Sequence, residues 1–225
     1  MTTTREFSAW AAAAAVAAAL TTVAAGGAAA YDLPEIPSAP YTFDGAATLT
    51  VGPGHQPVAF PTSTVAANTN VAQFDGTFAP PAATATVGGM QYTFSLVNPS
   101  AITGTSTQAS EGSANYTLAA TQSFAIRVSG MTMPGVGSGS AGFGMVPTSA
   151  TCTTAPVTVA LTGTINAANL LTDAPSIDTT LSGPVTIPTF ADCGALTPIV
   201  NAALAGSGNT YSVRLTNAKR GAIQE

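Results

Sequence analysis

Alternation with a period of two constrains this chain more than any other feature. In MQYTFSLV, residues 90–97, Met90, Tyr92, Phe94 and Leu96 alternate with Gln91, Thr93 and Ser95. SFAIRVSG at 123–130 sends Phe124, Ile126 and Val128 one way and Arg127 the other. VTVALTG at 157–163 and TYSVRLT at 210–216 repeat the pattern through Val157, Val159 and Leu161, then Tyr211, Val213 and Leu215. Successive side chains of a strand point to opposite faces, so each segment buries one face and offers a Thr/Ser face to water. That is the pattern of antiparallel sheet.

Turn signals separate these runs at GG (88–89), NPS (98–100), SEGSAN (110–115) and PGVGSGSAGFG (134–144). Two FDG sequences, Phe43-Asp44-Gly45 and Phe74-Asp75-Gly76, read as tight turns. Short strands and frequent turns predict an all-β fold, an antiparallel β-sandwich over 41–225, with division into two β lobes near 134–144 as the alternative. Residues 31–40, YDLPEIPSAP, hold three prolines and read as an extended arm.

Ahead of that arm, MTTTREFSAW is followed by AAAAAVAAALTTVAA and then by small residues up to Tyr31. Basic start, apolar run and small-residue end form a secretory leader over 1–30, cleaved near Ala30. The run is shorter than the roughly 18–20 residues of a spanning helix, and no later segment reads as one. Removing Arg5 and Glu6 leaves four Lys+Arg against nine Asp+Glu, still net −5. An acidic chain without basic clusters lacks the counterion-releasing charge that nucleic acid requires. Only 7% of residues are charged, so solubility rests on Thr, Ser, Asn and Gln. The Ala/Gly/Thr/Pro bias points to GC-rich coding and a bacterial source. No lipidation cysteine follows the leader, so the mature protein is expected to be secreted or held non-covalently to the cell envelope.

The cysteines, Cys152 and Cys193, are two, which in an exported chain predicts one disulfide. Behind Cys193 lies the one compact helical pattern of the mature chain. Thr197 is read as its N-cap, Pro198 as its first residue and Gly206 as its stop, with Ile199, Val200, Ala203 and Leu204 as the buried stripe. The disulfide would then clasp the helix entrance to the strand at 157–163.

Candidate chemistry is sparse. GSGSAG at 137–142 matches a dinucleotide fingerprint in letters alone, since Pro134 and Pro147 flank it and no helix can start there. His55, the sole histidine, lies in the loop VGPGHQPVAF with no G-x-S-x-G elsewhere, so it reads as a solvated loop residue. Asp32, Glu35, Asp44, Asp75, Glu111, Asp173, Asp178 and Asp192 are scattered singly, with no spacing that nominates an acid–base pair or a calcium loop. Asn115-Tyr116-Thr117 is a glycosylation sequon in form. Tyr92, Tyr116 and Tyr211 fall on strands as core or cross-strand contacts. Met131, Met133 and Met145 surround the Gly-rich segment, as gap fillers or as an adaptable apolar surface. No cofactor or metal is expected. The reading is of a non-enzymatic structural or interaction module, with an outer-membrane-type β-barrel and a carrier of lipid or another apolar ligand as alternatives.

Overall fold

A computed structural model describes residues 38–70, 72–132, 152–170 and 176–221. The expected leader, residues 31–37 of the arm, and the Gly-rich segment with GSGSAG, Met133 and Met145 lie outside the described residues, as do Asp32, Glu35 and Asp173.

Among the described residues there are thirteen strands. They are β1 (Ala39–Val51), β2 (Gln56–Ala59), β3 (Ser63–Thr69), β4 (Gln73–Thr77), β5 (Ala83–Val87), β6 (Met90–Val97), β7 (Ile102–Gln108) and β8 (Asn115–Thr132). After them come β9 (Thr153–Thr154), β10 (Val157–Asn166), β11 (Asp178–Ile187), β12 (Phe190–Ala191) and β13 (Gly206–Arg220). The helices are short: α1 (Ala167–Leu170) and α2 (Thr197–Leu204). Every strand pairing is antiparallel, so the expected all-β antiparallel architecture is what forms. The strands predicted from alternation recur as β6 and within β8, β10 and β13.

The pairing closes on itself. From β8 it runs through β10, β11, β13, β1, β3, β4 and β7, and β7 pairs with β8 again. Inside this ring, Phe124 of β8 and Tyr211 of β13 meet across the layer with centroids 4.7 Å apart. β8 serves two sheets. Residues 115–124 lie between β7 and β10, while residues 125–132 pair with β6, which carries β5, and meet β9, which carries β12. Strands before and after 134–144 therefore lie side by side.

Period-two patterning places the core. Leu49, Val65, Ile102, Leu118, Val159, Leu161, Leu181, Val213 and Leu215 are all buried in one cluster. Their neighbours in sequence face out: Thr103, Thr105 and Thr107 on β7, Thr117 and Thr121 on β8, Thr158, Thr162 and Thr164 on β10, Thr180 and Ser182 on β11. Registration lines several of these up across strands, as in Thr107–Thr117–Thr164.

Neither FDG sequence is a turn. Asp44-Gly45 lies inside β1 and Asp75-Gly76 inside β4, with each Asp outside and each Gly inside. Here tertiary packing overrides the dipeptide's turn preference. A Cβ at Gly45 would sit 2.8 Å from Phe78 Cε2, and one at Gly76 2.8 Å from Phe74 Cε1, so the glycines admit aromatic rings. β1 consequently runs through 13 residues, and β8 and β13 reach 18 and 15, longer than the short strands expected.

The ladder of the ring is thinnest between β10 and β11, where only Thr162 and Ser182 are registered, against ten pairs between β10 and β8. Glycines let the backbones approach there. A Cβ at Gly163 would lie 2.6 Å from the Thr180 carbonyl oxygen, and one at Gly183 would run into the Ala160 carbonyl oxygen. Threonine hydroxyls supplement the short ladder: Thr179 donates to Thr164 O at 2.6 Å and Thr162 to Ser182 O at 3.4 Å. Gly183→Ala is expected to lower the melting temperature by roughly 4–10 °C, as overpacking of about 1–3 kcal/mol does in a domain of this size. Thermal circular dichroism checks this, with the outward Thr180→Ala as the near-neutral control.

Candidate functional site

The disulfide forms as expected, with Cys152 and Cys193 both buried and their Cα atoms 4.4 Å apart. It sits beside the two-residue ladder of β9 and β12, and Val128 N donates to Cys152 O at 3.0 Å, tying the link to β8. A 3₁₀ turn, Gly194–Leu196, leads into α2. Thr197 is not the N-cap. That position belongs to Leu196, and the Thr197 hydroxyl donates back to Gly194 O at 2.8 Å, because the preceding turn already supplies the helix entrance. Pro198 does stand in the first turn, and Ala205 in extended backbone ends the helix before Gly206.

Of the expected apolar stripe, Val200 and Leu204 are buried and Ala203 is partly so, whereas Ile199 is 47% exposed. Two buried residues, about one per turn, seat so short a helix. Asn201 does the remaining work, accepting from Phe190 N at 2.6 Å and donating to Phe190 O at 3.1 Å. Gly52 N donates to Leu204 O at 3.1 Å, satisfying a terminal carbonyl. Removing the disulfide by Cys193→Ser is expected to cost about 4 kcal/mol in the chain-entropy account, a fall of roughly 10 °C in oxidising buffer. Melting followed with and without reductant tests it, and reductant should not move the variant.

His55 lies at the rim, exposed, with φ of 48°. Its Nδ1 is 3.3 Å from Asn209 Oδ1. Asn209 is buried and gives its Nδ2 hydrogen to Gly206 O, so its Oδ1 accepts and His55 Nδ1 donates. The histidine thus faces an amide that holds the β13 entrance, rather than a serine or carboxylate.

The topology does bring two carboxylates together. Asp178 of β11 and Asp44 of β1 both register with Thr216 of β13, one on each side, on the outer wall. Asp178 accepts from Arg214 Nε at 2.8 Å, and the Arg214 guanidinium beside it lowers its carboxyl below the ordinary value. Asp44 Oδ2 accepts from Asn217 Nδ2 at 2.7 Å. Ser176, Ile177, Asp178, Arg214, Thr216 and Asn217 line a shallow depression of about 520 Å³. A proton donor in glycoside chemistry needs a raised carboxyl pKa. The lowered Asp178 is the reverse, and each carboxylate already has a polar partner.

Asp75, in β4, lines a second open depression with Asn68, Gln73, Thr103 and Thr105. Glu111 is exposed in the turn before β8, and Asp192 takes φ of 58° before Cys193. Asn115 is exposed at the start of β8, where its Oδ1 accepts from Asn166 Nδ2 at 2.9 Å. Among the described residues no cluster of three His, Cys, Asp or Glu side chains is placed to hold a metal.

One enclosed polar group is easily missed among the strands. Gln122, on β8, occupies an inward position and is buried. Its Nε2 donates to Phe78 O at 3.3 Å and Ser100 O at 3.2 Å, while its Oε1 accepts from Tyr211 Oη at 2.9 Å. A polar letter at an inward position of an alternating segment, Leu118-Ala119-Ala120-Thr121-Gln122, is the signal that marks it. Burial raises the Tyr211 phenol above its ordinary value, and Tyr92 shifts the same way for the same reason. A phenol that stays protonated in the folded state contributes stability below pH 10 that is lost as pH rises beyond it. Tyr211→Phe is expected to cost about 1 kcal/mol at neutral pH for the lost hydrogen bond. It should also flatten the alkaline limb of a stability–pH curve measured by denaturant unfolding.

Fold and surface together define an all-β antiparallel protein with a closed strand ring and a disulfide clasp. No family model matches the chain, and no curated protein and no solved structure matches it.

Proposed function

We propose that this is a secreted or cell-envelope-associated, non-enzymatic module that acts through its outer surface as a structural or interaction protein. One observation carries the reading: inward positions of the ring are mostly apolar, with Phe, Tyr, Leu, Ile and Val prominent, and Thr and Ser are the commonest residues at outward positions. A wall of that kind suits water or a polar partner. The Ala-rich segment at 11–20 and the cysteine pair support an exported, oxidising setting.

The outer-membrane-type barrel receives less support. β1, β8, β10, β11 and β13 are long enough to cross, but β3, β4 and β7 have only 7, 5 and 7 residues, and a membrane barrel is apolar outside and polar within, the opposite of this arrangement. No helix among the described residues is long and apolar enough to cross a membrane. A carrier of an apolar ligand needs internal room, whereas the inward positions of the ring are occupied by packed side chains such as Phe124, Tyr211, Leu181 and Leu215. Residues 31–225 are expected to be monodisperse in detergent-free buffer and free of co-purifying lipid by native mass spectrometry. A requirement for detergent would favour the barrel, and bound lipid the carrier.

A further inference from the structure

We propose that Met90 is a methionine-sulfoxide site that the fold accommodates, with a peroxide as oxidant. Met90 opens β6 directly after the Gly88-Gly89 turn, and it is only partly buried. Both glycines have positive φ, and among the described residues a Cβ on either would meet nothing within 4 Å. Two residues on, Tyr92 is fully buried. Among the described residues its hydroxyl has the Met90 thioether as partner, with Oη and Sδ 4.0 Å apart. A thioether is a weak acceptor, and that separation is long even for sulfur. One oxygen added to the sulfur along this line would lie about 2.5–3 Å from the phenol oxygen, the range of an O–H···O hydrogen bond.

The step balances as a two-electron oxidation. A sulfur lone pair attacks one peroxide oxygen and the O–O bond breaks; the transferred OH gives its proton to the departing hydroxide, leaving sulfoxide and water. Sulfoxide is polar and commonly disrupts packing. Here a buried donor already faces the sulfur. Sulfoxide is also chiral, and one epimer directs its oxygen at Tyr92.

The test treats the folded full chain with hydrogen peroxide, in a Met131→Leu background because Met131 is the cross-strand neighbour of Tyr92. Peptide mass spectrometry follows Met90, and the two epimer-specific methionine sulfoxide reductases report its stereochemistry. The expected result is Met90 sulfoxide of predominantly one epimer, with melting lowered by less than about 2 °C. In Tyr92→Phe both epimers should form and oxidation should lower melting further. Resistance of Met90 to peroxide, mixed epimers with Tyr92 present, or equal melting losses in the two proteins would overturn the proposal. If Tyr92→Phe does not fold, the epimer ratio with Tyr92 present decides alone.

Discussion

The backbone ladder that returns β10 to β8 is the interaction on which the rest depends. Ten registered pairs there join the strand that follows Cys152 to the longest strand of the chain before it. An open sheet leaves a row of unpaired N–H and C=O groups at each edge, an invitation to aggregate. Proteins commonly blunt such edges with charge, which this chain scarcely has at 7%. Closure removes the two principal edges of a weakly charged sheet whose outer face is rich in hydroxyls.

Closing a ring demands corners, and the corners explain residues that look dispensable in one dimension. Gly163 and Gly183 let β10 and β11 approach where the ladder thins to one registered pair, and threonine hydroxyls take over part of the backbone's hydrogen bonding. Gln122 stitches the interior, joining β13 through Tyr211 to the segments at Phe78 and Ser100. With all its hydrogen-bonding atoms engaged except one lone pair, it avoids the penalty of an orphaned buried amide and specifies one packing of the layers. The clasp at Cys152–Cys193 works at the other extreme of scale. β9 and β12 share only two registered pairs, too few to hold α2 alone, so the covalent link and the Asn201 amide secure it.

The candidate surface sites were less legible than the strands. Asp44, Asp178 and Arg214 are far apart in sequence, and only the registers of β1 and β11 on β13 set the two carboxylates about Thr216. The same holds for His55 and Asn209, which 154 positions separate. Local patterning misled in three places. Asp-Gly has turn chemistry but forms strand under aromatic rings, Thr197 has cap chemistry but a 3₁₀ turn precedes it, and Ile199 falls on the apolar stripe but faces outward. Packing against Phe78 at Gly45 and the adjoining 3₁₀ turn at Thr197 outweighed local preferences worth about a kilocalorie.

The sequence by itself determined the strand class, the inward and outward faces of β6, β10 and parts of β8 and β13, the turns at 88–89, 98–100 and 110–115, and the disulfide pairing. These follow from a two-residue period, from glycine and proline, and from a count of two cysteines, all local or forced. Only the tertiary structure decided that the sheet closes, that β8 belongs to two sheets, that FDG continues a strand, and that Gln122 belongs inside. Those outcomes depend on register between distant strands, and backbone hydrogen bonding is indifferent to side-chain identity until packing selects one register.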